Sequence, residues 1–197
     1  VTNIQDLGKQ KRIICSDGSI LNVDFVVIGI GIKPNIELAE NSGLECDNGI
    51  IVNEFGKTSD RYIFAVGDCS NHPNNVFKQR LRLESVQNAV EQAKSIAAVI
   101  TGNYKPYQKV PWFWSDQYNI KLQIAGVSQH YDHHVVRGLP EKEKFAVFYQ
   151  KDNRLIAIDA INSQKEFMFG KKLIERQSEI SLELISNMDI NLKEIVK

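Results

Sequence analysis

Cysteine is scarce in this chain of 197 residues: Cys15, Cys46 and Cys69 lie far apart, are odd in number and form no C-x-x-C pair. That excludes a zinc ribbon and a local dithiol redox pair, and it fits a reducing compartment, the cytoplasm. No apolar run approaches the ~18 residues that a membrane span requires. The opening VTNIQDLGKQ lacks the charged-then-apolar layout of a secretory signal. Neither sign of charge is in excess. Lys and Arg number 24 against 24 Asp and Glu, so the footprint of a nucleic-acid binder is missing. Also absent are a Ser/His/Asp or Cys/His set and any G-x-G-x-x-G loop. The chain starts on Val1 with no initiating methionine and reads as a piece of something longer.

What is present is ordinary globular composition, 43% hydrophobic and 24% charged, enough for one large domain or two small ones. The most informative string is TSDRYIFAVGDC at 58–69. Ile63, Phe64, Ala65 and Val66 are apolar on both faces, which predicts a central strand of a parallel sheet. Gly67 would let the backbone approach something large. Asp68 would then stand at the strand's carboxyl end, where open α/β sheets bind ligands and where a carboxylate accepts from a polyol.

Around this string the chain alternates. Asp17-Gly18 predicts a hairpin between 11–15 and 19–23. Residues 24–32 predict an apolar strand running into the glycine turn GIGIKPN, and 36–41 a short helix stopped by Gly43. Residues 49–53 predict a short strand. The clearest helix is 84–101, with Val86, Ala89, Val90, Ala93, Ile96, Ala97 and Ile100 at helical spacing, Glu84 and Ser85 as capping groups and Gly102 as its stop. Its first N–H groups would stabilise an electron-rich carbonyl.

After Pro106 strand-like runs at 120–127, 133–138, 145–150 and 154–161 predict an antiparallel sheet, followed by helical segments at 166–176 and 192–196. A boundary falls near Lys109. In PWFWSDQ the two tryptophans are expected on opposite faces of a strand, one plugging a core and one reaching a planar ligand. His130, His133 and His134 sit in a polar link without a second ligand cluster, so no metal site is assigned.

Taken in order, GIGIKPN, NGIIVNEFGKTSDRYIFAVGDC, RLESVQNAVEQAKSIAAVITG and PWFWSDQYNIKLQIAG resemble the oxygenase-coupled ferredoxin reductases. These are FAD-containing, NADH-dependent enzymes of the glutathione-reductase-like superfamily. The resemblance runs from about Leu21 to the end. It implies an α/β fold, a partial FAD/NAD-binding three-layer domain, joined to an α+β C-terminal interface domain with an antiparallel sheet. Residues 1–32 would be the tail of the NADH domain, 33–109 the second FAD-domain segment and 110–197 the interface domain.

The resemblance also implies site roles. Asp68 matches the aspartate that holds the flavin ribityl chain, and Val86 the helix-end N–H at the pyrimidine carbonyl. Trp114 matches the aromatic near flavin and nicotinamide, while Glu84 and Gly31 match positions near the nicotinamide end of NADH. Lys94 and Lys193 match basic positions that would meet an acidic 2Fe–2S ferredoxin. Hydride transfer to flavin followed by single-electron transfer needs no general base or nucleophile, so no catalytic side chain is assigned.

The absent glycine loops leave both pyrophosphates without a cradle, so the chain alone is expected to bind FAD weakly and to be inactive. An uncovered strand at 63–66 would invite self-association or local disorder. Two alternatives stay open: a non-catalytic binding or dimerisation fragment, and an apoptosis-inducing-factor-like oxidoreductase. RLESVQNA argues against the latter, which carries a more histidine-rich string there.

Overall fold

Gly18 takes φ +83, and the Asp17 carboxylate accepts from both the N–H and the hydroxyl of Ser19, closing the expected hairpin. In the computed structural model, which describes residues 1–195, this hairpin joins β2 (Lys11–Ile14) to β3 (Ile20–Val23). With β1 (Asn3–Asp6) they form an antiparallel sheet, order β1-β2-β3, in the first of two units, Val1–Lys33 and Pro34–Lys197. The strand expected over 24–32 is not formed. Phe25, Val27, Ile28 and Ile30 are exposed, and no strand among the described residues pairs with them. A segment apolar on both faces becomes a strand only where a neighbour supplies ladder partners.

In the second unit, α1 (Glu37–Asn41) is followed by Gly43 at φ +75, the stop read from the sequence. β4 (Ile50–Ile51) pairs parallel with β5 (Ser70–Asn74), which turns back antiparallel onto β6 (Gln79–Arg82). That hairpin was not legible as strands. The expected central strand at 63–66 is corrected. Phe64 makes only an isolated antiparallel bridge to Lys57, the Ala65 N–H donates to Gly56, and the chain then enters a single 3-10 turn at Gly67–Cys69. Ile63 and Val66 are exposed, because the loop at 53–58 takes the backbone partners that sheet neighbours would have supplied. The argument for self-association through a strand edge at 63–66 falls with that strand.

α2 (Val86–Ile100) follows, and after it an antiparallel five-stranded sheet in order β7-β8-β11-β10-β9. Its strands are β7 (Trp112–Gln117), β8 (Ile120–Gly126), β9 (His133–Leu139), β10 (Lys144–Lys151) and β11 (Arg154–Ile161). Along β10 the buried side chains are Ala146, Phe148 and Gln150, the period of two that a half-covered sheet requires. α3 (Gln164–Glu175), α4 (Leu182–Ser186) and α5 (Leu192–Ile195) cover that face. Of the helix expected at 192–196, Val196 lies outside the described residues. Phe148, Ile158, Leu173, Ile174 and Ile185 are fully buried together, each worth roughly 1.5–3 kcal/mol of apolar burial. Gly170 permits the close approach of α3, since a Cβ there would stand 2.7 Å from Ile158 Cδ1. No helix among the described residues is long and apolar enough to cross a membrane.

One buried cation ties the last segment to the sheet. Arg137 of β9 donates through Nη1 to the carbonyls of Ile185 (2.8 Å) and Asn187 (2.5 Å), and through Nη2 to that of Ile190 (2.9 Å). Glu166 of α3 stands 3.9 Å from its Nε and balances the charge. Arg137→Met would remove the donor to the Ile185 and Ile190 carbonyls and the charge facing Glu166, while the Asn187 carbonyl would keep the Ile190 N–H. The expected loss is about 3 kcal/mol in urea unfolding, with α4 losing amide protection first. A loss below about 1 kcal/mol would show that water replaces the guanidinium there.

Candidate functional site

Asp68 lies in the 3-10 turn at Gly67–Cys69, its carboxylate exposed and without a hydrogen bond or ion pair among the described residues. The turn is fixed from beneath. Gly67, at φ +77, donates its N–H to Gln92 Oε1 at 2.7 Å, and a Cβ on it would touch the Ala89 Cβ at 3.4 Å. It therefore sits against the first half of α2. Ser70 Oγ closes the far side, 2.9 Å from both the Gly67 carbonyl and Gln92 Oε1.

Arg82 holds the same turn from the side. Its Nη1 donates to the Asp68 carbonyl at 3.1 Å, its Nη2 pairs with Glu84 Oε1 at 2.9 Å, and its Nε reaches Asn48 Oδ1 at 3.0 Å. Gly49, at φ +122, makes room for it: a Cβ there would stand 2.8 Å from the Cys69 carbonyl and 2.9 Å from Arg82 Cδ. Two of the residues singled out from sequence, Asp68 and Glu84, are thus joined through one guanidinium.

The helix start is capped by Ser85, whose hydroxyl accepts from the Asn88 N–H and donates to the Trp112 carbonyl at 3.1 Å. Val86 is the first residue of α2 and largely exposed. The Ser85 contact also brings β7 to this helix end. Trp112 and Trp114 are not on opposite faces: their ring centroids are 5.3 Å apart, as residues i and i+2 share one face of a pleated strand. Trp112 is backed by Phe167, while Trp114 remains 46% exposed, so one ring supports and the other presents a face.

The remaining residues divide. Gly31 lies in the first unit at φ +103, with open space around it. Lys94 on α2 is exposed and makes an i,i+3 pair with Glu91 at 3.4 Å, and Lys193 on α5 is exposed. His133 and His134 are exposed on β9, His134 lying against Tyr131 and Tyr149, and no group of metal-ligating residues occurs among the described residues.

Sequence reasoning missed Arg82, Gln92, Gly49 and His72. The signal lay in α2: Asn88, Gln92, Ile96 and Val99 form its buried stripe, while Val86, Val90 and Ile100 are exposed. Asn88 Oδ1 accepts from the Tyr107 hydroxyl at 3.1 Å, and Gln92 Nε2 meets His72 Nδ1 at 2.9 Å. Burial, with Glu91 nearby, pushes the Tyr107 hydroxyl up to about 12. Burial, and secondarily the Arg80 guanidinium, lower the His72 imidazole to about 4. His72 is therefore neutral at neutral pH, with Nδ1 as an acceptor for the Gln92 amide.

The folded pKa lies below the ordinary 6.5, so the unfolded chain takes up this proton first. The stabilising contribution is complete above about pH 6.5 and is lost as pH falls toward about 4, a swing of about 3 kcal/mol. Urea unfolding at pH 7 and pH 4.5 should show about 2 kcal/mol of that loss in the native chain and a much smaller one in His72→Gln. Equal pH slopes for the two would assign the acid sensitivity to other groups.

Comparison with known proteins gives two family matches. Residues 1–93 match the pyridine nucleotide-disulphide oxidoreductases, and residues 112–196 match the reductase C-terminal family. Putidaredoxin reductase of Pseudomonas putida is 42% identical over 191 residues, covering 97% of this chain and 45% of its own length. Rhodocoxin reductase of Rhodococcus erythropolis is 41% identical, covering 94% of this chain and 44% of its own length. Among solved structures, a ferredoxin reductase from Rhodopseudomonas palustris superposes with a TM-score of 0.93 at 38% identity, over 100% of this chain and 49% of that one. The reductase in a covalent putidaredoxin reductase–putidaredoxin complex superposes at 0.89 with 42% identity, over 94% and 44%. The chain spans a little under half the length of the curated relatives it matches.

Proposed function

Because residues 1–93 match the pyridine nucleotide-disulphide oxidoreductases and residues 112–196 the reductase C-terminal family, with putidaredoxin reductase 42% identical along 97% of the chain, we propose that it supplies the ribityl- and ring-binding half of the FAD site of an NADH-dependent ferredoxin reductase. The observation that carries this reading is the Asp68 carboxylate, exposed and unpartnered among the described residues on a turn held rigid against the start of α2. A carboxylate accepts only, which suits the hydroxyls of a ribityl chain. The donor at the start of α2, Val86 N–H, suits the electron-rich carbonyl of a ring. Trp114 offers a flat face backed by Trp112. FAD held there would supply hydride acceptance from NADH and single-electron transfer to a 2Fe–2S ferredoxin. The chain's own residues bind and orient.

On this reading residues 1–32 close an NADH-binding domain, 33–109 are a second FAD-domain segment and 110–197 an interface domain. Gly31 and Glu84 are each assigned by the resemblance to the nicotinamide end of NADH. Lys94 and Lys193 meet the acidic ferredoxin; both are exposed, and the Lys94–Glu91 pair is a surface contact worth little. Three unpaired thiols support a cytoplasmic setting.

The test is made in the protein that carries this chain. Asp68→Ala should weaken FAD binding about 10- to 100-fold, the worth of a charged hydrogen bond, with Tm unchanged because the carboxylate supports nothing in the fold. Unchanged FAD affinity would overturn the reading. For docking, Lys94→Glu with Lys193→Glu should slow ferredoxin reduction severalfold at low salt and less at high salt, while sparing a small artificial acceptor. Equal loss with both acceptors would remove the two lysines from the docking surface.

A further inference from the structure

Gln92 is buried in the middle of α2, where an apolar residue would ordinarily pack. Its Oε1 accepts from the Gly67 N–H at 2.7 Å and lies 2.9 Å from the Ser70 hydroxyl, whose single proton it shares with the Gly67 carbonyl, and its Nε2 meets His72 Nδ1 at 2.9 Å. Gly67, Ser70, His72 and Gln92 are all buried, so water does not substitute for any of these bonds. The Gly67 N–H can only donate. It therefore dictates which end of the Gln92 amide faces the turn, and the other end must donate to a bare imidazole nitrogen. His72 is the neutral ring that provides it.

We propose that Gln92 is a positioning residue for the cofactor, with His72 locking its amide, so that the Gly67 turn presents the Asp68 carboxylate beside the start of α2. This rests on the flavin reading of the site and extends it to two residues that touch no ligand. Gln92 lies on the helix whose first N–H groups serve the ring and binds the turn whose carboxylate serves the ribityl chain. One amide thus fixes the spacing between two points of a single ligand. Arg82 cannot do this alone, since it grips the Asp68 carbonyl and Glu84 from the outer side and makes no bond to the body of α2 among the described residues.

The experiment is a double-mutant cycle on FAD affinity in the protein that carries this chain, read by fluorescence quenching with Tm measured in parallel. Gln92→Met keeps the volume and removes all three bonds. It should weaken FAD about tenfold, and in an Asp68→Ala background it should weaken it less than twofold further, since the carboxylate it positions is gone. In Gln92→Glu one carboxyl oxygen still accepts from the Gly67 N–H, and the other meets His72 either as a protonated donor to Nδ1 or as an acceptor from the Nδ1–H tautomer, so affinity should stay within about threefold of the wild type. Should Gln92→Met fail to fold, His72→Phe removes the lock alone and should weaken FAD severalfold in the wild-type background and not in Asp68→Ala. Losses that add fully in the double variant, or an affinity unchanged while Tm falls, would overturn the inference. An Asp68→Ala protein that binds FAD as tightly as the wild type would overturn the flavin reading itself, whatever Gln92 does.

Discussion

Gly67 turns the chain at φ +77 directly beneath α2, and in that conformation its N–H points into protein. A buried donor without an acceptor costs about 1–3 kcal/mol, so the turn exists in this form only because Gln92 Oε1 is there to receive it. Once that bond is made, much else follows. Ser70 is drawn onto the same oxygen, β5 starts in register with β4, and Asp68 is left on the outside of a turn that cannot relax. An exposed carboxylate on a mobile loop would lose side-chain and backbone entropy on binding anything. Here the backbone share of that entropy is already lost in folding.

The same logic accounts for Arg82 and Ser85, the other two bolts of the site. Arg82 spends its guanidinium on the Asp68 carbonyl, the Glu84 carboxylate and Asn48, joining three separated pieces of chain. Its planar fork suits this better than a lysine would, because each nitrogen serves a different acceptor in fixed geometry. Ser85 caps α2 and at the same time donates to the Trp112 carbonyl, so the helix start and the strand bearing both tryptophans are set by one hydroxyl. Carboxylate, helix start and aromatic face are held by bonds a few residues away from each, none of which uses the presented group.

Much of the fold was legible in the sequence because it rests on local rules. Asp17-Gly18, Gly43 and the apolar runs after Pro106 each specify their structure within a few residues, and the hairpin, helix stop and five-stranded sheet follow. The errors came where partners are distant. Residues 24–32 and 63–66 are apolar on both faces, yet apolarity gives burial and not pairing, and neither becomes a strand without a neighbour. The tryptophans were set on opposite faces although residues two apart on a strand share one. Asp68 and Val86 are singled out by motif; the contacts of Gln92, His72 and Arg82 are not legible in the sequence, because they span 14 to 34 positions.

The composition of α2 carries that point further. By hydrophobicity alone its inner face should hold Val86, Val90 and Ile100, but these are exposed, and Asn88 and Gln92 are buried in their place. Burying two amides is unfavourable unless every bond is satisfied, and here each amide finds partners: Tyr107, Leu83, Gly67, Ser70 and His72. An apolar stripe would pack more favourably but would set the rotation of the helix by shape alone. Directional bonds set it more strictly, since an amide displaced by an ångström leaves a buried donor unmet. The polar stripe therefore exchanges some packing energy for a fixed rotation of α2, and a fixed rotation is what holds its first N–H at a set distance from Asp68.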